Sequence, residues 1–278
     1  MADHTLVVTN PPQGGVDVER TASYLGLTAE QVRSKANYHI PEIWAADTDR
    51  PRMEDAAAHL RDAGCKVVVL SSDELVNVPP QQRVRSFSFT DDGLVAHVDG
   101  ADIPVPYDED MVGVFCRPRE APSERTSGSK RTSGFLTLRD RLTESVSGPH
   151  AFQEGETTPF FDIYVSGAAP TRISVLQNAV SFAGLGRLQP RAAANMELLV
   201  ERCEDRFSQG TVDRRLEGMR LRLDRLMKRA SLTEQRRGFS FASPKLAELL
   251  SRMSPTMEGI TQPELSTRLA YLTRSHTT

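Results

Sequence analysis

The chain has 278 residues, 38% apolar and 26% charged, with 34 Lys and Arg against 37 Asp and Glu for a formal net charge of −3. That is the composition of a folded protein, and it excludes a globally basic nucleic-acid or membrane surface, so any basic face must be local. A single core seldom fills this length, so at least two modules are expected.

The opening MADHTLVVTN carries no basic start followed by an apolar run, and no stretch reaches the length of a membrane span. Cys65, Cys116 and Cys203 are solitary, which supplies neither a disulfide framework nor a metal clip. A reducing, cytoplasmic setting is expected, without a membrane span.

Residues 1–77 read as a β-α-α-β-α-β module. Leu6-Val7-Val8-Thr9 is strand text that ends at the turn formers Asn10 to Gly15. Val18, Ala22 and Leu25 repeat at helical spacing up to Gly26, and Thr28 to Gln31 is a capping box that opens a second helix ending before Pro41. Glu42-Ile43-Trp44-Ala45 is extended. Pro51 sits in the first turn of a third helix with Met53, Ala57, Leu60 and Ala63 inward. Cys65 to Leu70 is a β-branched strand, expected at the centre of the sheet.

The run from Leu25-Gly26-Leu27-Thr28 through Pro41-Glu42-Ile43, then Ala56 to Val69, resembles the C-terminal domain of the bacterial ribosomal stalk protein and the ClpS adaptors, which share one fold. The resemblance implies a module that holds protein partners. Asn10 lies where ClpS adaptors place a peptide-binding asparagine, but Pro11 and Pro12 replace the acidic residues that follow there. Arg33 and Lys35 alone stand where the stalk protein has a lysine-rich helix. Neither specialised role carries over.

Residues 78–210 change to a two-residue period. Val84 to Phe89, Leu94 to Val98, Ile103 to Tyr107, Met111 to Cys116, Phe160 to Val165 and Arg172 to Leu176 are short strands between Gly and Asp turns, expected to form an antiparallel meander. Ser181 to Gly186 is expected to close the sheet. Residues 118–158, rich in Ser, Thr, Gly and Arg, read as a flexible insertion with one brief helix around Phe135, Leu138 and Leu142. Asn195 to Phe207 is an amphipathic helix with Met196, Leu199, Val200 and Cys203 on one stripe. The pattern resembles a pleckstrin-homology-like β-barrel closed by a C-terminal helix, a superfold used for binding and scaffolding. The fold class expected is thus α+β, with a helical tail over 211–278.

In that tail Val212, Leu216, Met219, Leu223 and Leu226 suggest one helix over 211–237, carrying nine basic residues against four acidic ones. Arg214, Arg215, Arg220, Arg222, Arg225, Lys228 and Arg229 are its candidate partner-binding residues. Packing on the barrel, a nucleic-acid contact and an anionic membrane contact all compete for this helix. Ser243-Pro244 starts a further short helix, Pro255 and Pro263 punctuate the rest, and the last residues are expected to fray.

Catalytic and metal motifs are absent from the text. The six histidines have no ligand spacing, and no Walker loop, dinucleotide turn or nucleophile elbow occurs. No catalytic residue, metal ligand or cofactor is assigned. The expected function is non-enzymatic, with an unidentified protein partner, or alternatively a nucleic-acid or ribosome contact through 211–237.

Overall fold

The computed structural model describes residues 4–12, 15–37, 39–119, 158–166, 170–220 and 262–276. The first strand, β1 (His4–Asn10), is followed by α1 (Val18–Leu25), α2 (Ala29–Ala36), β2 (Glu42–Asp47), α3 (Arg50–Asp62), β3 (Lys66–Ser71) and a short α4 (Ser72–Val76). Local chemistry sets these boundaries. Asp17 accepts from the Arg20 amide at the start of α1, and Gly26 ends that helix at φ +65°. Thr28 and Gln31 form the expected capping box, Asp49 caps α3 ahead of Pro51, and Ser71 with Glu74 forms a second box at α4.

The three strands form a sheet in the order β2-β1-β3, so β1 is central and β3 lies at an edge, contrary to the expectation for Cys65 to Leu70. Both β2 and β3 run antiparallel to β1. The continuous β-branched run of β3 reflects burial on both faces of the sheet, which a strand at an edge can also have.

The larger sheet contains β4 (Gln81–Phe89), β5 (Gly93–Val98), β6 (Ala101–Pro106), β7 (Met111–Arg119), β8 (Phe160–Val165), β9 (Thr171–Leu176), β10 (Thr211–Asp213) and β11 (Glu217–Arg220). Its order is β10-β7-β8-β9-β4-β5-β6, with β11 also on β7. The expected antiparallel barrel is therefore corrected to an open, mixed sheet. β4 runs parallel to β9, and β10 and β11 run parallel to β7. The physical reason lies in β4. Its first residues pair with β9, then a register shift between Val84 and Ser86 hands the strand to β5. The shift also puts Val84 and Phe87 into the same core while Arg85 faces out to Asp99.

Phe182–Leu185 is a 3-10 turn, not a closing strand, joined to β4 by one bridge from Ser181 to Ser86. A helix α5 (Ala192–Arg206) buries the expected stripe of Met196, Leu199, Val200 and Cys203. The tail departs most from expectation. Residues 211–220 form β10 and β11, and a last helix α6 spans Gln262–Ser275. Pro263 occupies the first turn of α6, a position that suits proline.

Three apolar clusters stack in layers. The first packs α1, α2 and α3 on one face of the small sheet through Val32, Met53, Leu60 and Trp44. The second joins the other face of that sheet (Val7, Ile43, Leu70) to Val112, Val114, Cys116 and Tyr164 of the large sheet. Leu269, Ala270 and Leu272 of α6 belong to this shared layer, as do Leu216 and Met219. The third lies under α5, with Met111, Phe115, Phe161 and Ile163. Alternate residues of β7 and β8 thus feed opposite layers, the two-residue period of a strand buried on both faces. The shared layer draws on residues from both sides of position 78, and α6 binds the two sheets to each other.

Candidate interaction site

The expected basic helix is replaced by strands over 211–220. Val212 pairs opposite Gly113 in β10 and packs in the layer under α5, whereas Leu216 and Met219 enter the shared layer between the sheets. A helix would have put all three on one stripe. Gly218 lies inside β11 at φ +78°, at the register shift between Glu217 and Arg220, a conformation that a helix interior disfavours. That glycine was the sequence signal against a helix here.

Arg214 and Arg215 are neutralised locally. Arg214 donates from Nε and Nη2 to Glu204 at 3.0 and 2.8 Å and from Nη1 to Glu197 at 3.0 Å. Arg117 donates to the same Glu197 and, at 3.2 Å, to Glu217. The hydrogen bonds that Arg214 donates to Glu204 raise its pKa; burial opposes this and Glu197 adds to it. Arg215 pairs with Asp213 and donates to the Thr9 carbonyl at 2.8 Å, tying the tail to β1. Arg220 stands opposite Arg119 in β11. Arg222, Arg225, Lys228 and Arg229 lie outside the described residues. Of the described residues, Arg214 and Arg215 therefore act as staples in the fold.

A groove opens instead in the first module. Its volume is about 610 Å³, and it is lined by Tyr24, Leu25 and Gly26 from the end of α1, by Ala45, Ala46 and Asp47 of β2, and by the first turns of α3. Helix geometry builds it. Gly26 takes the left-handed conformation and turns the chain away, leaving the Tyr24 ring at the rim. Tyr24 is 47% exposed and stacks on His59 of α3, with ring centroids 4.5 Å apart and planes at 13°. Met53 and Ala56 form an apolar floor. Asp47 accepts from the Thr48 amide at 2.8 Å and from Arg52 at 3.0 Å, which fixes one wall, while Asp55 of α3 is exposed in the lining. The groove thus offers an aromatic rim, an apolar floor and one outward carboxylate. Sequence reading placed Tyr24 in a helix without assigning it a role. The αL stop at Gly26 is the feature that exposes it.

A second, more polar hollow of about 410 Å³ lies where Ser34, Asn37 and His39 meet Arg215, Glu217 and Gly218. It is a seam between the first module and the tail strands.

The most deeply buried polar groups serve the fold. Asp162 and Arg172 are both fully buried and joined at 2.7 Å. Asp162 also accepts from Ser174 and from Thr267 of α6, and Arg172 reaches Glu264 of α6 at 3.1 Å. Tyr164 stacks on Tyr271 at 4.3 Å, and burial drives its hydroxyl pKa up. The three thiols are free and buried. Burial pushes Cys65 to about 11 and Cys203 to about 12, and raises Cys116 as well, so all three stay protonated and unreactive near neutral pH. Among the described residues no group of three or more His, Cys, Asp or Glu is placed to hold a metal ion, and no helix is long and apolar enough to cross a membrane.

Fold and site together define an α+β protein with a solvent-facing apolar groove on its first module. Comparison with models of known protein families, with curated proteins and with solved structures returned no match.

Proposed function

We propose that this chain is a non-enzymatic protein-interaction or adaptor protein of the cytoplasm, and that it holds a protein partner in the groove beside Tyr24. The observation that carries this reading is the exposed aromatic rim over an apolar floor. Exposed aromatic side chains at a rim are the usual anchors of protein contacts. Asp55 favours a basic residue beside the apolar side chain that the partner inserts. The resemblance of residues 1–77 to the stalk-protein and ClpS-like modules adds support, since the segments that carry it form α2, β2 and the corner from α3 to β3. Residues 78–210 keep one feature of the pleckstrin-homology-like reading, a helix (α5) laid over the apolar face of the sheet.

The test is a crosslinked pull-down with the full chain, comparing the native protein with a Tyr24→Ser, Asp55→Lys variant, with half of each lysate treated with nuclease. One defined protein should be retained by the native chain, survive nuclease and be lost from the variant. Equal recovery by both chains would place the contact elsewhere. Recovery that vanishes with nuclease would favour a nucleic-acid or ribosome contact through 211–237.

A further inference from the structure

We infer that the outer edge of β3 is a self-association surface, on which a second copy of this chain adds its own β3 antiparallel to extend the small sheet from three strands to six. This stands independently of the groove.

A strand edge that no other strand covers is a template for pairing, and folded proteins blunt such edges in recognisable ways. The other edges among the described residues are blunted. β2 is buried at Ile43 to Asp47, 2–8% exposed, and carries the charged Glu42 and Asp47 at its two ends. β6 carries Pro104 and Pro106, which lack the amide a further strand needs. β10 and β11 span three and four residues. β3 is the least protected of them. Val67 and Leu70 are 7% and 0% exposed, and Lys66 and the long Arg61 contact are its only guards. It nevertheless offers six residues, Lys66-Val67-Val68-Val69-Leu70-Ser71, with Val68 and Val69 half-buried and no proline.

The direction of its backbone groups follows from the hydrogen bonds at its ends. The Ser71 amide turns away from β1 to the Glu74 carboxylate at 2.7 Å, and the Val67 carbonyl accepts from Arg61 at 3.4 Å. In an antiparallel ladder, alternate residues direct both backbone groups to the same side. Val67 and Val69 therefore present their amides and carbonyls outward. Neither Val69 group meets a hydrogen-bond partner among the described residues.

This pattern selects a second copy. In a two-fold pair centred on Val68, Val67 faces Val69 of the other copy twice, and the outward groups of both residues make four main-chain hydrogen bonds. Lys66 then faces Leu70 of the other copy, so no like charges oppose each other. A pair centred on Val69 would instead engage Ser71, whose amide already caps α4. The same test applied to β2 sets Glu42 against Asp47 of a second copy, which like-charge repulsion disfavours. The net charge of −3 is too small to keep two chains apart. The weak Arg61 bond to Val67 gives way in this arrangement.

Sedimentation velocity on the full chain tests the idea, together with the variants Val69→Pro, Val68→Cys and Lys66→Cys. The native chain should sediment as a species of twice its 30.8 kDa mass. Val69→Pro removes an outward amide from each copy and should weaken association about tenfold or more, because two of the four hydrogen bonds are lost. Residues that face each other at the axis in a non-hydrogen-bonded pair lie within disulfide reach. Val68→Cys should therefore form a linked dimer under mild oxidation, whereas the exposed Lys66→Cys, far from its own copy, should not. If Val69→Pro loses its native Trp44 emission, the cysteine pair decides. A native chain that sediments at the single-chain mass up to millimolar concentration overturns the proposal. So does a Val68→Cys chain that crosslinks no better than Lys66→Cys.

Discussion

Replacing Asp162 by Asn probes the contact that fixes α6 to the large sheet. In the native protein the Asp162 carboxylate takes Nε and Nη2 of Arg172 at 3.2 and 2.7 Å, the Thr267 hydroxyl at 2.9 Å and the Ser174 hydroxyl. Asn keeps the shape but loses the charge, and turns two N–H donors toward a cluster of donors. Arg172, fully buried, would be left with Glu264 as its carboxylate partner. Removing one member of a buried pair strands the other, at a cost of about 3–5 kcal/mol, against a typical total stability of about 5–15 kcal/mol. Replacing both residues, Asp162→Leu with Arg172→Met, strands no charge. Ser174 keeps Gln81 at 2.8 Å, Glu264 keeps Arg268 at 3.0 Å, and Thr267 keeps the Glu264 carbonyl at 3.0 Å. The double variant should therefore recover to within about 1–2 kcal/mol of the native protein. Urea unfolding followed together by far-UV circular dichroism and by emission of the single tryptophan, Trp44, measures both. An Asp162→Asn chain within about 1 kcal/mol of native, or a double variant no more stable than the single one, would refute the reasoning.

Leu269, 2% exposed in the shared layer, should cost about 2–5 kcal/mol when replaced by Ala. The Trp44 and dichroism transitions should shift together, because that layer joins both sheets; transitions that separate would contradict it. Gly184→Ala would set a methyl group 1.9 Å from the Phe87 carbonyl oxygen, so the 3-10 turn must move off β4, at about 1–3 kcal/mol in urea. Glu74 responds to pH. Burial opposes its charge, but the Ser71 amide and hydroxyl and the His276 contact outweigh burial and hold its carboxyl below the ordinary 4.5. A depressed folded value gives stability that is present above the ordinary value and lost as pH falls through the folded one. Glu74→Gln should thus cost about 1 kcal/mol near neutral pH and nothing in strong acid, read from unfolding midpoints across that range.

The first module was legible because short-range chemistry decides it. Thr28 with Gln31, Asp49 before Pro51, and Gly26 after Leu25 each act within one helical turn, and each does in the structure what its position in the chain dictates. The stripe of α5 was legible for the same reason. The groove was half legible. Its walls come from readable elements, but only the left-handed stop at Gly26 and the packing of α3 under Tyr24 make it a surface.

The tail shows where local pattern stops being sufficient. Val212, Leu216 and Met219 repeat at helical spacing, yet that spacing fits equally well two short strands that bury Val212 on one side of β7 and Leu216 and Met219 on the other. The arginines beside them read as a binding face because the carboxylates that neutralise them, Glu197 and Glu204, lie on α5 and are brought near only by packing. Sheet order was hidden likewise. Six runs of strand text fix where strands occur, but the choice of an open mixed sheet over a closed meander depends on β4 changing partners and on β10 returning from far along the chain. By itself the sequence determined the helices α1, α2, α3 and α5, the strands β1 to β9, the capping box of α2, and the burial of thiols set in apolar runs. The tertiary structure alone decided which faces those segments share. α6, nearly polar enough to read as a frayed end, becomes a buried helix because two sheets supply apolar surface on opposite sides of it and Asp162 and Arg172 meet its polar groups. Those partners lie some ninety residues or more away along the chain, beyond the reach of any local pattern.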